Sequence, residues 1–473
     1  NEIYDLNITI TPINLDNTVN KTLSSIYDNT VINKSIKEQI MEQKELDIKL
    51  GTYDTVTKCR CCNNTNLTKI WELKKAPLAG GFLKDIKDII HERHYPLTLL
   101  YCDNCYSAFV KEIIKEDKLF TNINNNGYFY YSSQIPTLVE HFKNLYNYVK
   151  TNYNINNKKI MEIGCNDGVF LNNFSKEDKL QYLIGIDPSE TIQKITDPNI
   201  IKINDFFNSK NTLQIIKEYG KMDYVVACNC LAHIDDINDI FKNLKLILND
   251  DGIIVMEVHY VKNICESMNF DFIYHEHMSY YSINGIYNIC KNNNLYLDNI
   301  EHISNHGGSI RITIKNKKDH SNIYNNPGLT TTLHQEDITR YMETFLDRIN
   351  KWKIQINSII NDLYEKEQIV AGYGASGRTN ILLTVMHKKF DFIFDDSNSK
   401  INNFIPLLHI QILNSNEIYN NNIKTIFILA WPYSKYIIQK HKKFVTENGG
   451  RFIIILPEIQ EINISNINNY LHP

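Results

Sequence analysis

No apolar run in this chain is long enough to cross a bilayer, which excludes a transmembrane helix and predicts no membrane partner. There is no excess of one charge either. A net charge of −4 over 473 residues offers no electrostatic footing for nucleic acid. No stretch repeats at a period of about 20–50 residues, so a solenoid or propeller is excluded. The first residues, Asn1-Glu2-Ile3-Tyr4-Asp5, lack the basic region and apolar stretch of a secretory signal. They also lack a methionine, as a processed or trimmed end does. A disulfide framework is not expected from the ten cysteines. Four of them form two Cys-x-x-Cys pairs, and Cys165, Cys228, Cys230, Cys265 and Cys290 fall in or beside apolar segments. With no signal, that placement predicts a reducing, cytoplasmic setting.

What is present is ordinary in bulk, with 43% apolar residues. The length predicts two or three domains. Residues 1–55 read as a polar extension, with a helix near 33–50 and no visible chemistry. Residues 56–115 read as a small module stapled by the cysteine pairs. From about 135 the pattern becomes helices alternating with strands. A helix is expected over 137–151. Strands are expected over 159–164, 182–187, 223–228 and 252–258, and a helix over 234–248. This order predicts an α/β fold with a parallel, doubly wound sheet. An antiparallel hairpin over 295–303 and 309–314 should close its edge, giving a domain over 116–325. A helical linker over 333–367 leads into a second, smaller Rossmann-like set within 326–473. Its strands are expected over 369–373, 390–394, 425–430 and 451–456.

Cys59/Cys62 and Cys102/Cys105 bring four thiolates to one tetrahedral centre, because each short turn supplies two ligands. Zinc suits such a set, and four protein ligands make a closed, structural site. The 39 residues between the pairs exceed a minimal ribbon, so the module has its own fold. Cys61, His91 and His94 stay open as alternate ligands. Glu162-Ile163-Gly164-Cys165-Asn166-Asp167-Gly168 follows a strand and precedes an expected helix over 169–174. Glycines there allow a tight turn and close approach of a ligand. The spacing is that of the first motif of class I S-adenosylmethionine (SAM) methyltransferases. Asp187, at the end of the next strand, can hold both ribose hydroxyls. Asp205 and Phe206 are placed to meet adenine. Asp223 opens the third strand, Asn229 follows it, and His233 is grouped with them.

Phe272-Ile273-Tyr274-His275-Glu276-His277-Met278-Ser279-Tyr280-Tyr281 gathers two His, one Glu and three Tyr after the fourth strand. Open α/β sheets place ligands near that edge. His and Tyr exchange protons, and Glu can orient a His. Residue types alone leave two readings, a general base or a packed polar cluster. Tyr280 and Tyr281 suit packing, and His275 suits an exposed position. His306-Gly307-Gly308-Ser309-x-Arg311 forms a second polar cluster.

The chain resembles the sugar-nucleotide C-methyltransferases, similar to dTDP-4-keto-deoxysugar 3-C-methyltransferases, over about residues 56–460. The resemblance rests on the four cysteines, Tyr95-Pro96-Leu97, Tyr130-Tyr131-Ser132-Ser133, the 162–168 turn, Tyr274-x-Glu276-His277-x-Ser279-Tyr280, the 306–311 cluster and Gly372-Tyr373-Gly374-Ala375. It implies a zinc-binding lobe, a SAM methyltransferase core and a C-terminal Rossmann-like lobe, with a nucleotide-linked sugar between them. It implies His277 as the base, with Tyr274 and Glu276 beside it. It implies substrate contacts from Tyr130, Tyr131, Ser132, His306, Ser309, Arg311, Tyr373, Arg378 and Asn380. The cofactor side falls to Glu162, Gly164, Asn166, Gly168, Asp187, Asp205, Phe206, Asn229 and His233. The expected assembly is a monomer or small homo-oligomer. The C-terminal lobe departs from the family. Arg378 stands where Lys is usual, and Arg can grip a phosphate bidentately. Pro406-Leu407-Leu408-His409-Ile410-Gln411 replaces a Pro-Gly-Thr-His-Ile-Pro loop, and Pro432 replaces Asn. Gly372 to Gly377 lacks full dinucleotide spacing, which argues against NAD. An O- or N-methyltransferase, or a sugar-nucleotide-binding protein without turnover, are the competing readings.

Overall fold

The structure, a computed structural model, describes residues 53–115, 131–316, 333, 336, 338–388, 390–419 and 422–472, without the side chains of Ile90, His91 and His306. The helix expected near 33–50, Tyr130 and the His306 side chain therefore lie outside the described residues. Five strands come first: β1 Tyr53–Thr55, β2 Leu67–Pro77, β3 His94–Cys102, β4 Ala108–Val110 and β5 Glu112–Ile114. The next five are β6 Lys159–Ile163, β7 Tyr182–Ile186, β8 Ile200–Ile203, β9 Met222–Cys228 and β10 Leu248–His259. They are followed by β11 Ser279–Tyr280, β12 Tyr296–Ile303 and β13 Ser309–Lys315. The last six are β14 Val370–Tyr373, β15 Phe392–Asp395, β16 Ile412–Asn414, β17 Thr425–Ile428, β18 Arg451–Ile454 and β19 Gln460–Ile462.

The central sheet runs β12-β13-β10-β9-β6-β7-β8. Its five middle and far strands are parallel, and β13 inserts antiparallel between β10 and the edge strand β12. These strands are apolar and β-branched because both faces are covered, as parallel sheets require. The strand order turns back between β6 and β9, so the crevice for a ligand opens at their carboxyl ends. The helix Pro136–Asn152 matches expectation, and Pro136 starts it at a position where no N–H is needed. The helix expected over 169–174 is not formed. Only a 3-10 turn, Leu171–Asn173, appears, because Phe170, Leu171 and Phe174 all turn into the core. The glycine turn therefore has no helix dipole behind it.

The C-terminal sheet, β16-β15-β14-β17-β18-β19, is parallel except for β19. Its topological switch lies at β14, which pairs with both β15 and β17. The linker is one helix, Thr339–Glu365, about 40 Å long. Met342, Phe345, Ile349, Trp352, Ile356, Ile360 and Leu363 recur every three or four residues and form its buried stripe. Burying seven such side chains is worth roughly 10–20 kcal/mol before chain entropy is counted. The stripe joins Trp71 and Leu99 of the cysteine module, Phe270 of the segment after β10, and Leu382 and Phe427 of the last lobe in one core. The three lobes thus share their central packing.

Candidate active site and zinc centre

Cys59, Cys62, Cys102 and Cys105 place their four sulfurs within 4.8 Å of one another. Cys59 and Cys105 are 3.5 Å apart at sulfur, and Cys62 and Cys102 are 3.6 Å apart. Tetrahedral Zn–S bonds of about 2.3 Å require S···S edges of roughly 3.8 Å, so the set fits zinc. Each knuckle ends in a left-handed residue, Asn63 (φ 61°) and Tyr106 (φ 64°). Asn64 and Asn104 direct amide N–H groups at Cys102 and Cys62. Cys61 is buried against Gly285 and is not one of the four. His94 instead bonds Glu92 at 2.8 Å. No disulfide forms among the ten cysteines. Arg60, inside the first knuckle, bonds Asp235 at 2.6 Å and the Val110 carbonyl at 3.0 Å. That ties the zinc module to the central domain.

The 162–168 turn sits at the carboxyl end of β6. Gly164 (φ +69°) leaves no room for a Cβ, which would meet Cys230 Cβ at 2.5 Å. Asp187 follows β7 and accepts the Asn166 N–H at 2.8 Å and the Ser189 N–H at 2.8 Å. Its carboxylate is held by backbone donors and stays aimed at the turn. Glu162 Oε2 is buried with no partner, and burial raises its pKa well above the carboxylate range. Asn229, left-handed after β9, also has a buried unpartnered Oδ1. Two orphaned acceptors beside a glycine turn fit a polar, cationic ligand. Phe206 is 39% exposed, as a ring awaiting a planar partner would be. Asp205 accepts its own neighbour's N–H from Phe206 at 2.8 Å. The Ser132 N–H donates to Asn166 Oδ1, and Ser133 donates to Asp167. Tyr131 and Ser132 therefore stand over the glycine turn. Asp223 sits at the opposite end of the sheet, bonded to the Lys159 N–H.

The 272–281 segment follows β10 after the short helix Val261–Glu266 and runs through β11, which pairs with β4 of the zinc module. His275 is not exposed. It is 1% accessible, donates to the Pro96 carbonyl at 2.8 Å, and packs edge-on against Tyr95. Burial pushes it down to about 4, so it is neutral near pH 7. Tyr280 and Tyr281 are packing residues whose hydroxyls donate to the Phe272 and Leu231 carbonyls. His277 Nδ1 lies 3.0 Å from the Phe272 carbonyl, and its Nε2 lies 2.9 Å from the Tyr274 hydroxyl. A carbonyl only accepts, so Nδ1 carries a proton, and in the neutral ring the lone pair is left on Nε2, facing Tyr274. Two further histidine rings flank it, His259 at 4.8 Å and His233 at 5.0 Å. Burial pushes His233 down to about 4. Burial pushes Glu276 up to about 7, against the pull of the Gly80 N–H. A neutral imidazole, a phenol and a carboxyl near neutrality can together take and return a proton.

The remaining expected substrate residues are scattered. Arg311 pairs with Glu257, its register partner on β10, at 2.8 Å, and His141 bonds the same carboxylate at 2.6 Å. Ser309 is buried opposite His259 and donates to the Asn305 carbonyl. Tyr373 bonds Asp396 and His441 inside the last lobe. Asn380 donates to the Ala79 carbonyl at 3.0 Å. Arg378 reaches Asp271 at 2.7 Å. Sequence reasoning missed His259, Asp271 and Trp431. A polar residue closing a buried strand, as His259 does, was the available signal.

The glycine turn, the acid after β7, and the sheet with its reversed edge hairpin define a SAM-dependent methyltransferase of class I fold. Three family models match in succession: a zinc binding domain over 59–120, a methyltransferase domain over 135–300 and a C-methyltransferase C-terminal domain over 304–457. The C-methyltransferase NovU of Streptomyces niveus is 26% identical over 420 residues, covering 86% of this chain and 97% of that protein. The three parts matched, in order along the chain, are a zinc binding domain, a methyltransferase domain and a C-methyltransferase C-terminal domain. A tRNA U34 carboxymethyltransferase of Sulfurimonas denitrificans is 26% identical over 123 residues, 25% of this chain and 40% of that protein. Among solved structures, magnesium protoporphyrin IX methyltransferase from Synechocystis is similar at 11% identity over 42% of this chain and 88% of its own, TM-score 0.30. A methyltransferase from Mesorhizobium loti is similar at 10% identity over 37% and 99%, TM-score 0.31. Among the described residues no helix is long and apolar enough to cross a membrane.

Proposed function

We propose that this C-methyltransferase acts on the carbon beside the ketone, C3, of a nucleotide-linked 4-keto-deoxysugar. The observation that supports this most is the Tyr274–His277 pair, with Nδ1 held as donor and Nε2 left as base. Glu162, Gly164, Asn166, Asp187, Phe206 and Asn229 would hold SAM, which when bound would supply an electrophilic methyl group. His277 Nε2 removes the proton next to the ketone, directly or through the Tyr274 hydroxyl. The electron pair moves into the enolate, whose oxygen needs a donor nearby. Tyr274 and a protonated Glu276 are the candidate donors. The enolate carbon then forms the new C–C bond as the sulfonium C–S bond breaks, and the ketone returns. A carbon acid beside a carbonyl is within reach of a histidine base, whereas a plain hydroxyl sugar is not.

The test is incubation with SAM and a set of nucleotide 4-keto-sugars, read by mass spectrometry. A gain of one methylene unit is expected on one of them. In heavy water, His277→Ala should lose both methyl transfer and hydrogen exchange at the reacting carbon, while keeping SAM binding. Exchange and transfer at near wild-type rate in that variant would place the base elsewhere. An O- or N-methyltransferase would transfer methyl with no exchange at carbon.

A further inference from the structure

We propose that the C-terminal lobe clamps the base: Arg378 and Trp431, acting through Asp271 and Phe272, are positioning residues for His277. The clamp deepens the proposed function above and rests on it for its kinetic part. Asp271 is wholly buried, on the segment that carries His277. Its Oδ2 accepts from Arg378 Nε at 3.0 Å, pairs with Arg378 Nη2 at 2.7 Å, and accepts from Trp431 Nε1 at 2.8 Å. Both partners come from the C-terminal lobe. The Arg378 guanidinium also lies 3.8 Å from the centre of the Phe272 ring and 4.9 Å from that of Trp431. Phe272 is thus held on one face by a cation. Its other role is set by its backbone: the Phe272 carbonyl accepts the His277 Nδ1 proton, and its ring lies parallel to the His277 ring at 6.2 Å. Moving Phe272 moves the acceptor that fixes the tautomer of the base.

The second glycine-rich turn serves this contact. In an open dinucleotide turn, glycines make room for phosphate and the helix N-terminus meets it. Here a Cβ on Gly374 would meet Ala430 Cβ at 2.4 Å, and one on Gly377 would meet Ala79 Cβ at 2.6 Å. The first turn of the helix Gly377–Met386 is closed by its own capping box, Ser376 with Thr379. Asn380 is bonded to the Ala79 carbonyl. The space a phosphate would need is filled by the zinc module. What the turn delivers is Arg378, one residue into the helix, against Asp271.

Arg378→Lys keeps the charge but loses the fork and the flat stacking surface. Trp431→Phe keeps the ring and loses the indole N–H. Both should fall in kcat by about 10- to 100-fold, the effect of a small misplacement of a reacting group, with KM within about twofold. A carbonyl acceptor on Nδ1 favours the charged imidazole, so losing it weakens the base. The acid limb of the kcat–pH profile should then move to lower pH in both variants. Heteronuclear NMR of the imidazole nitrogens, with His277→Gln used for assignment, should show one Nδ1–H tautomer in the parent and a mixture in the variants. Thermal denaturation establishes that the variants are folded. A rise in KM at unchanged kcat would make Arg378 a substrate-phosphate ligand and overturn the clamp. So would an unchanged tautomer and acid limb in folded Trp431→Phe and Arg378→Lys. If no keto-sugar is methylated by the parent but the tautomer shifts in the variants, the substrate reading fails and the clamp stands.

Discussion

Glu276→Gln should make the protein more stable in mild alkali and change it little in acid. The carboxyl is partly buried against the Gly80 N–H, and burial lifts it from 4.5 to about 7 in spite of that donor. A carboxyl whose folded value lies above its unfolded value binds more protons folded than unfolded. Stability therefore falls as pH rises from about 4.5 to about 7, then stays at the lower level. Each pKa unit is worth about 1.4 kcal/mol, so the full penalty at pH 8 is at most about 3 kcal/mol. Some solvent reaches the side chain, which brings the expected figure nearer 2 kcal/mol. Glutamine removes the ionisation and keeps the shape. Urea unfolding of zinc-loaded protein at pH 5 and pH 8 measures the difference directly. The variant should gain about 2 kcal/mol relative to parent at the higher pH and only about a quarter of that at the lower. Parallel stability profiles for the two proteins would refute a raised carboxyl. Catalysis supplies the second readout. If protonated Glu276 donates to the enolate, the parent should lose activity above about pH 7, and the glutamine variant should lack that limb.

Other expectations follow from the same geometry. Cys102→Ser should release zinc, measured by metal analysis, and lower the melting temperature more than it lowers SAM affinity; a full zinc complement in that variant would contradict the four-sulfur site. Asp187→Ala should weaken SAM binding in calorimetry by about 1.5–3 kcal/mol, and unchanged affinity would leave Asp187 a turn-holding acid only. His233, His275 and His441 are each pushed by burial from 6.5 to about 4. The unfolded chain binds more protons in that window, so stability should drop as pH falls from about 6.5 to about 4, and His275→Gln should flatten the drop.

The zinc ligands were legible because ligand chemistry is local: two turns, each with two thiols, meet wherever the chain folds. The strands β6, β7 and β9 were legible because a doubly covered strand must be apolar throughout. The glycine turn and its contact with Asp187 were legible, because a glycine turn and a strand-end acid sit at fixed separations. What failed was non-local. The expected helix after Gly168 gave way because Phe170 and Phe174 bury more surface turned inward than a short helix would allow. Arg311 was expected as a substrate contact in the 306–311 polar cluster. Nothing in sequence reveals that Glu257, in an apolar strand, stands opposite it in register. Arg378 was expected as a substrate contact because it stands where the family has Lys and can grip a phosphate. Only the fold shows Ala79 filling the space a phosphate would need.

The segment 272–281 belongs to no single lobe, and this has a physical consequence. One end follows Asp271 and the short helix Val261–Glu266 that succeeds β10 of the methyltransferase sheet. The other end pairs as β11 with Phe109 and Ala108 beside the zinc knuckle. His275 is pinned to Pro96 of the zinc module, and Asp271 to the C-terminal lobe. The position of the proposed base is then set by three contacts in series, so the loosest of them limits its order. Local opening costs less free energy than global unfolding. Loss of zinc or of the Arg378 contact should therefore disorder the base while the SAM turn, held within one sheet, stays intact. A closed structural metal some distance from the chemistry thereby acts on the reaction through the strand it supports.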